Sequence, residues 1–131
     1  VIAQMGHPDM REAIQFAFSY PYRLPLSNRK LNFAELGSMS FHAPDFERFP
    51  ALTLAYESLS KGGNMACIMN AANEAAVAAF LREEIGFYDI TDVVAECMAG
   101  VEFAAEPDLE TIFSTNETAF AKAEEIIRRI S

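Results

Sequence analysis

A long apolar segment in the middle of the chain constrains the fold more than any other feature. Residues 64–85 read as one helix that is apolar on nearly every side from Met65 to Leu81, with Asn64 as its N-cap and Gly86 as its stop. A helix of this kind must be covered by other elements all round. We therefore predict that it is the buried central helix of the molecule.

Three further helical segments accompany the central one, and glycine or proline separates them. They cover about 50–60, 89–99 and 107–130, and each has apolar residues at helical spacing, which predicts one buried face. These faces are Leu52, Ala55 and Leu59; Val93, Val94 and Cys97; and Leu109, Ile112, Phe113, Phe120, Ala123, Ile127 and Ile130. Four helices with short links form a small bundle.

The first 45 residues carry different signals. Residues 1–5 are short and β-branched at their start, and residues 38–42 alternate, so both are predicted to be strands. Residues 8–19 have helical spacing, with Met10, Ile14, Ala17 and Phe18 on one face, and Pro21 and Pro25 then predict an extended connection. The predicted fold class is mainly α with a small β portion (α+β).

Charge excludes two classes of partner. The 131 residues include 10 Lys and Arg against 19 Asp and Glu, a net charge of −9, which would repel a nucleic-acid backbone or an anionic membrane. The charge is unevenly spread, because residues 1–64 hold six basic and six acidic side chains whereas residues 65–131 hold four and thirteen. We expect no nucleic-acid or membrane partner, and two structural contexts on one chain.

The cysteines and the start of the chain bear on its setting. Cys67 and Cys97 lie 30 residues apart in helical segments, which is typical of buried structural thiols in a reducing compartment. No apolar run approaches the roughly 18 residues of a membrane span, and the first residues do not resemble a secretory signal. We predict a cytoplasmic protein. The apolar start at Val1 is consistent with a piece of a longer chain.

The residues that could carry chemistry are few. The sequence has no phosphate-binding glycine loop and no zinc motif, and its two histidines lie 35 residues apart. Asn70, Asn73 and Glu74 stand out, because their i, i+3 and i+4 spacing places them on one face of the central helix. On a buried helix we expect this trio to be buried and to need partners, either as a ligand or acid–base site or as a hydrogen-bonded clamp for an adjoining loop or domain. We favour the clamp.

Two alternative functions stay open at this point. An acidic helical module could use the same face to dock another protein. A small metal-dependent hydrolase would instead need Glu74 to converge with acids such as Asp89 or Asp92 on a metal ion. His7 and Asp9 could also chelate a metal, but a histidine in that place is more often an exposed loop residue.

Five separate motifs, in order, resemble one enzyme family. They are the residues QMGHPDMR at 4–11, YPYR at 20–23, the run 31–45 from LNF to PD, RFP at 48–50, and NAANE at 70–74 followed by AAVAAFL. Together they resemble the C-terminal third of the 1-deoxy-D-xylulose 5-phosphate reductoisomerase family, the NADPH-dependent enzymes of non-mevalonate isoprenoid biosynthesis. The resemblance covers nearly the whole chain.

The resemblance implies an oxidoreductase and isomerase that converts 1-deoxy-D-xylulose 5-phosphate to 2-C-methyl-D-erythritol 4-phosphate with NADPH and Mg or Mn. It implies three regions here: residues 1–26 as the tail of the catalytic domain, 27–45 as a connecting segment, and 46–131 as a C-terminal four-helix bundle-like domain. The full enzyme would be a homodimer. This piece would brace the catalytic domain, bind neither cofactor nor metal, and be inactive alone.

Only two residues take a pocket role from the resemblance. Pro8 and Met10 lie in the turn that resembles the family's wall beside the substrate, where they would make contacts and transfer no proton. Ala13 departs from the proline common at its position, and His7 occupies a variable one. For Asn70, Asn73 and Glu74 the resemblance suits the structural polar clamp. No catalytic residue, cofactor ligand or metal ligand is assigned to this chain.

Overall fold

The structure, a computed structural model, describes residues 5–131 and contains six helices in that range. They are α1 (Met10–Ser19), α2 (Phe33–Leu36), α3 (Ala51–Lys61), α4 (Met65–Leu81), α5 (Asp89–Gly100) and α6 (Leu109–Ile130). The chain divides into an N-terminal unit, Val1–Ala43, and a helical unit, Pro44–Ser131. The mainly helical prediction is confirmed. None of the helices in residues 5–131 is both long and apolar enough to cross a membrane.

The small β portion is not seen. Residues 38–42 form neither helix nor strand, so the strand predicted there is wrong, and the strand predicted at residues 1–5 lies outside the described residues except for Met5. A strand needs a neighbour to pair its backbone N–H and C=O groups. Residues 5–131 contain no strand that could pair with residues 38–42.

The predicted central helix is the centre of the helical unit. α4 packs against α3, α5 and α6, and α5 also packs against α6. Its fully buried positions are mostly alanine, with Met65 and Ile68 as the largest side chains, and small residues let neighbouring helices approach closely. The core is completed by Val93 and Cys97 from α5 and by Ala119 and Ala123 from α6, none of which is exposed at all.

α4 ends earlier than the pattern predicts. The helix stops at Leu81 instead of continuing to residue 85. Glu83 then adopts a left-handed conformation with φ of 62°, and the Arg82 guanidinium binds the Glu84 carboxylate at 2.7 Å. Ile85 turns back and is buried, so its apolar side chain continued the helical pattern without belonging to the helix.

The predicted faces of two helices are also wrong in part. In α3 the exposed residues include Leu52, Ala55 and Leu59, whereas Leu54 and Ser58 are turned toward the core. In α6 Ala123 and Ile127 are buried as predicted, but Leu109, Phe113 and Ile130 are exposed. The predicted inward face of α5 is confirmed, because Val93, Val94 and Cys97 are all buried. Apolar spacing alone does not distinguish a core face from an apolar face left open.

The N-terminal unit has no core of its own. None of its described residues, 5–43, is buried, and the α1 side chains Met10, Ile14 and Phe18 are all at least half exposed. α1 starts two residues later than predicted, because Asp9 is its N-cap and accepts a hydrogen bond from the Arg11 amide at 3.0 Å. The helix keeps its local start signal and its amphipathic face without anything covering that face among residues 5–43.

Candidate functional site

The turn before α1 holds the two residues assigned to a pocket. Pro8 and Met10 flank Asp9, and Met10 is 72% exposed. Asp9 is fixed by the Arg11 guanidinium at 2.6 Å and by the Arg11 amide. These hydrogen bonds lower the pKa of Asp9 from 3.8 to about 2, so its carboxylate stays charged at the helix N-terminus. The turn is therefore locally ordered while it presents Met10 outward.

The polar trio of α4 is exposed in this chain, so the expectation of burial is wrong. Asn70, Asn73 and Glu74 are all exposed, and the Asn70 amide donates to the Glu74 carboxylate at 3.1 Å. α4 is not covered on all sides by α3, α5 and α6, and the trio occupies part of its open side. Within residues 5–131 the side-chain amide of Asn73 makes no hydrogen bond, whereas that of Asn70 binds Glu74.

Two members of the trio, Asn70 and Asn73, border a groove between α3, α4 and α5, here named the α3–α5 groove. Its cavity measures about 240 Å³. Its residues are Ala51, Leu54 and Ala55 of α3, Met69, Asn70 and Asn73 of α4, and Ile90, Thr91 and Val94 of α5. No charged side chain lines it, although the helical unit holds sixteen acidic and six basic residues. The groove is thus an apolar patch with an amide edge on an acidic surface.

The structure contains a buried polar clamp at Asn64, which the sequence did not predict. Asn64 is buried. Its side chain makes no capping hydrogen bond to α4, so the predicted capping role is wrong. Instead its amide donates to the Glu102 carbonyl and the Thr115 hydroxyl, both at 3.0 Å, and accepts from the Ala104 amide at 2.9 Å. The sequence feature that could have indicated this clamp is the preceding pair Gly62 and Gly63. Both adopt positive φ, and Gly63 brings the chain close to the loop at Ala104.

The two cysteines are free, as predicted. Cys97 is buried, and desolvation, with a contribution from the charge of Glu96, raises the pKa of its thiol to about 11. Cys67 is half-buried, and its Sγ lies 3.4 Å from the Ile112 carbonyl. Both thiols are neutral at physiological pH, which fits packing better than nucleophilic chemistry.

The acids named for a hydrolase are not brought together. Asp89 accepts a hydrogen bond from the Gly86 amide at 2.7 Å, whereas Glu74 pairs with Asn70. Across the described part of the chain, no three His, Cys, Asp or Glu side chains are placed to hold a metal ion. The arrangement offers hydrogen bonding and apolar contact, and gives the hydrolase alternative no support.

Similarity to known proteins first defines the class, a C-terminal enzyme domain. Residues 5–122 match the family model of the DXP reductoisomerase C-terminal domain. The 1-deoxy-D-xylulose 5-phosphate reductoisomerase of Bacteroides fragilis is 48% identical over 125 residues, which cover 95% of this chain and 32% of that protein. The chain therefore belongs to the DXP reductoisomerase C-terminal domain family.

Solved structures agree with this assignment. The reductoisomerase of Zymomonas mobilis in complex with NADPH has a TM-score of 0.82 and 44% identity, covering 96% of this chain and 33% of that one. A DOX-P reductoisomerase in complex with NADPH, fosmidomycin and magnesium has a TM-score of 0.86 and 34% identity, covering 97% of this chain and 33% of that one. The chain spans about a third of the length of the relatives it matches.

Proposed function

We propose that this chain is the C-terminal part of an enzyme that converts 1-deoxy-D-xylulose 5-phosphate to 2-C-methyl-D-erythritol 4-phosphate in isoprenoid biosynthesis. The observation that supports this most strongly is the family match over residues 5–122. The N-terminal unit, in which none of residues 5–43 is buried, adds a structural argument that it packs against further protein. The alternative of an acidic interaction module for an unrelated partner is not favoured.

The cofactors belong to the protein outside these residues in our proposal. NADPH and Mg or Mn would serve the full enzyme, as NADPH and magnesium do in the similar structures. Residues 5–131 do not fit a divalent metal, because they hold no cluster of ligating acids, and the sequence lacks a glycine-rich phosphate loop. We further propose that the full enzyme is a cytoplasmic homodimer.

Within that enzyme the three sequence regions would divide the work. Residues 1–26 would complete the catalytic domain, 27–45 would connect, and 46–131 would brace the catalytic domain from outside. Pro8 and Met10 would form part of the substrate-pocket wall, where Met10 supplies a flexible apolar surface. Asn70, Asn73 and Glu74 would form a polar clamp for protein outside this chain, a role that their exposure here leaves available.

The direct test is a hybrid enzyme, in which this chain replaces the matching C-terminal third of the Bacteroides fragilis reductoisomerase. We expect NADPH oxidation that depends on 1-deoxy-D-xylulose 5-phosphate and on Mg or Mn, and none from the 131-residue chain alone. A hybrid that is folded and dimeric but shows no such turnover would contradict the proposed function.

The pocket role of Met10 has a separate test in the same hybrid. Met10→Glu should raise the KM for substrate and leave the melting temperature nearly unchanged, because the side chain is exposed here. Ala13→Glu, at another exposed position of α1, is the matched control and should leave KM unaltered. An unchanged KM with a lowered melting temperature for Met10→Glu would instead place the residue in a core.

A further inference from the structure

The α3–α5 groove is an uncharged surface feature that the proposed function does not yet explain. Interface centres are depleted in charged residues, and this groove has none on a unit with sixteen acids and six bases. The exposed apolar stripe Leu52, Ala55 and Leu59 of α3 joins the groove through Ala55. The bundle does not cover the α3 stripe, since Leu54 and Ser58 of the same helix face its core instead.

The size and chemistry of the groove suit a polypeptide better than a metabolite. Its volume of about 240 Å³ lies below the roughly 300 to 1,000 Å³ of ordinary small-molecule pockets. Such a space accepts one or two apolar side chains between Leu54, Met69 and Ile90. The adjacent amides of Asn70 and Asn73 each offer a carbonyl acceptor and an NH₂ donor, the same pair of groups that a peptide backbone needs.

Within residues 5–131 the side chains of the two asparagines make one hydrogen bond between them, from Asn70 to Glu74. Asparagine is a poor helix former compared with alanine, and the rest of α4 is rich in alanine. Neither residue caps a helix, and within residues 5–131 the Asn73 side chain has no hydrogen-bond partner. The Asn70–Glu74 hydrogen bond offsets part of this cost to α4 for Asn70, whereas no contact of the described chain offsets it for Asn73.

We infer that the α3–α5 groove seats an extended segment from the catalytic part of the reductoisomerase chain, which inserts an apolar side chain beside Leu54 and pairs its backbone with Asn70 and Asn73. This inference rests on the proposed function and identifies the surface through which the helical unit braces the enzyme. About two thirds of the length of the relatives lies outside this chain, so such a segment exists in the full protein. Covalent linkage supplies it at high effective concentration, so a small groove suffices.

Accessibility in the hybrid enzyme tests whether the groove is covered. A cysteine placed by Ala55→Cys should react with a maleimide on the order of tenfold more slowly in the native hybrid than in denaturant. Ala121→Cys, an exposed position on α6 outside the groove, is the matched control and should react faster in the native protein than Ala55→Cys does. Mass spectrometry of the labelled peptides separates both from Cys67 and Cys97. Equal native and denatured rates for Ala55→Cys would overturn the inference.

A photo-cross-linker at position 55 identifies the occupant. We expect an intramolecular cross-link to a peptide from the Bacteroides fragilis part of the hybrid. A cross-link within the 131 residues, or between two copies and lost on dilution, would overturn the inference even if the groove is covered. Turnover of the unmodified hybrid separates the two proposals: an active hybrid with an open groove contradicts this inference alone, whereas a folded, inactive hybrid contradicts the proposed function.

The amide role has its own signature. Asn73→Ala should raise the melting temperature of the 131-residue chain slightly, because alanine is the better helix former, and should speed the labelling of Ala55→Cys in the hybrid. Asn116→Ala, an exposed asparagine within α6, should give the first effect without the second. Unchanged labelling with Asn73→Ala would remove the asparagine from the proposed contact.

Discussion

The two units of this chain differ in how far they bury their apolar side chains. The helical unit packs three other helices against α4 and buries residues such as Ile68 and Val93 completely. The N-terminal unit has helices with proper start signals, yet none of its described residues is buried, and Phe18 is 90% exposed. Local signals are enough to form a helix in both units, but among the described residues only the helical unit buries the apolar side chains that stabilise one.

The charge distribution follows the same division. Residues 1–43 hold four basic and three acidic side chains, whereas residues 44–131 hold six and sixteen. A surface rich in one sign of charge suits a solvated domain, and a nearly neutral segment with many exposed apolar residues suits contact with other protein. The lopsided net charge of −9 therefore needs no charged ligand to explain it.

Matched truncations in the two units should give the largest difference. Ile68→Ala removes a fully buried side chain from the core and should lower the free energy of unfolding by about 2 to 5 kcal/mol. Phe18→Ala removes a larger side chain that is 90% exposed and should change it by less than about 0.5 kcal/mol in the 131-residue chain. Urea titrations of both variants measure this, and a similar loss for both would remove the distinction between the units.

The next effect concerns a buried asparagine compared with an exposed one. Asn64→Ala strands the Ala104 amide and the Glu102 carbonyl and should cost about 1 to 3 kcal/mol for each stranded group. Asn73→Ala leaves nothing stranded in this chain and should stabilise α4 by up to about 0.5 kcal/mol. The two melting temperatures should shift in opposite directions, and a fall with both would contradict the exposed position of Asn73.

How much of this could be predicted from sequence depends on what each residue contacts. The central position of α4 was predictable, because a helix that is apolar on nearly every side needs other helices packed against it. The inward face of α5 was also predicted correctly from its apolar spacing. The same spacing describes a core face and an exposed face. For this reason the sequence could not predict that the α3 stripe and the trio Asn70, Asn73 and Glu74 would be exposed. The buried clamp made by Asn64 was not predictable, because its hydrogen-bond partners lie 38 to 51 residues away along the chain.

Two neighbouring glycines offer a smaller effect within the helical unit. An added Cβ at Gly63 would lie 2.2 Å from the Ala104 carbonyl oxygen, whereas one at Gly62 would meet nothing within 4 Å. Both have positive φ, and Gly62, with ψ of −147°, lies in a region almost confined to glycine, so each alanine variant should lose about 1 to 3 kcal/mol through backbone strain. Gly63→Ala should lose more than Gly62→Ala because of the clash. Thermal unfolding of the pair measures this difference, and equal losses would argue against the close approach of the loop.

The smallest effect concerns the start of α1. Because Arg11 lowers the pKa of Asp9 from 3.8 to about 2, the charged cap favours the folded helix above pH 3.8 and is lost as the pH falls through about 2. An NMR titration of the Asp9 carboxyl carbon should give a midpoint near 2, and Arg11→Ala should move it upward. A midpoint near 3.8 in the unmodified chain would mean that the cap and ion pair do not persist in solution.

Amide hydrogen exchange tests the difference between the two units most directly. In the 131-residue chain, α4 amides should be protected on the order of a hundredfold or more beyond those of α1, because, of these two helices, only α4 has buried residues. In the hybrid enzyme the protection of α1 should rise strongly while that of α4 stays high. Equal protection of α1 and α4 in the 131-residue chain, or no gain for α1 in an active hybrid, would contradict the account.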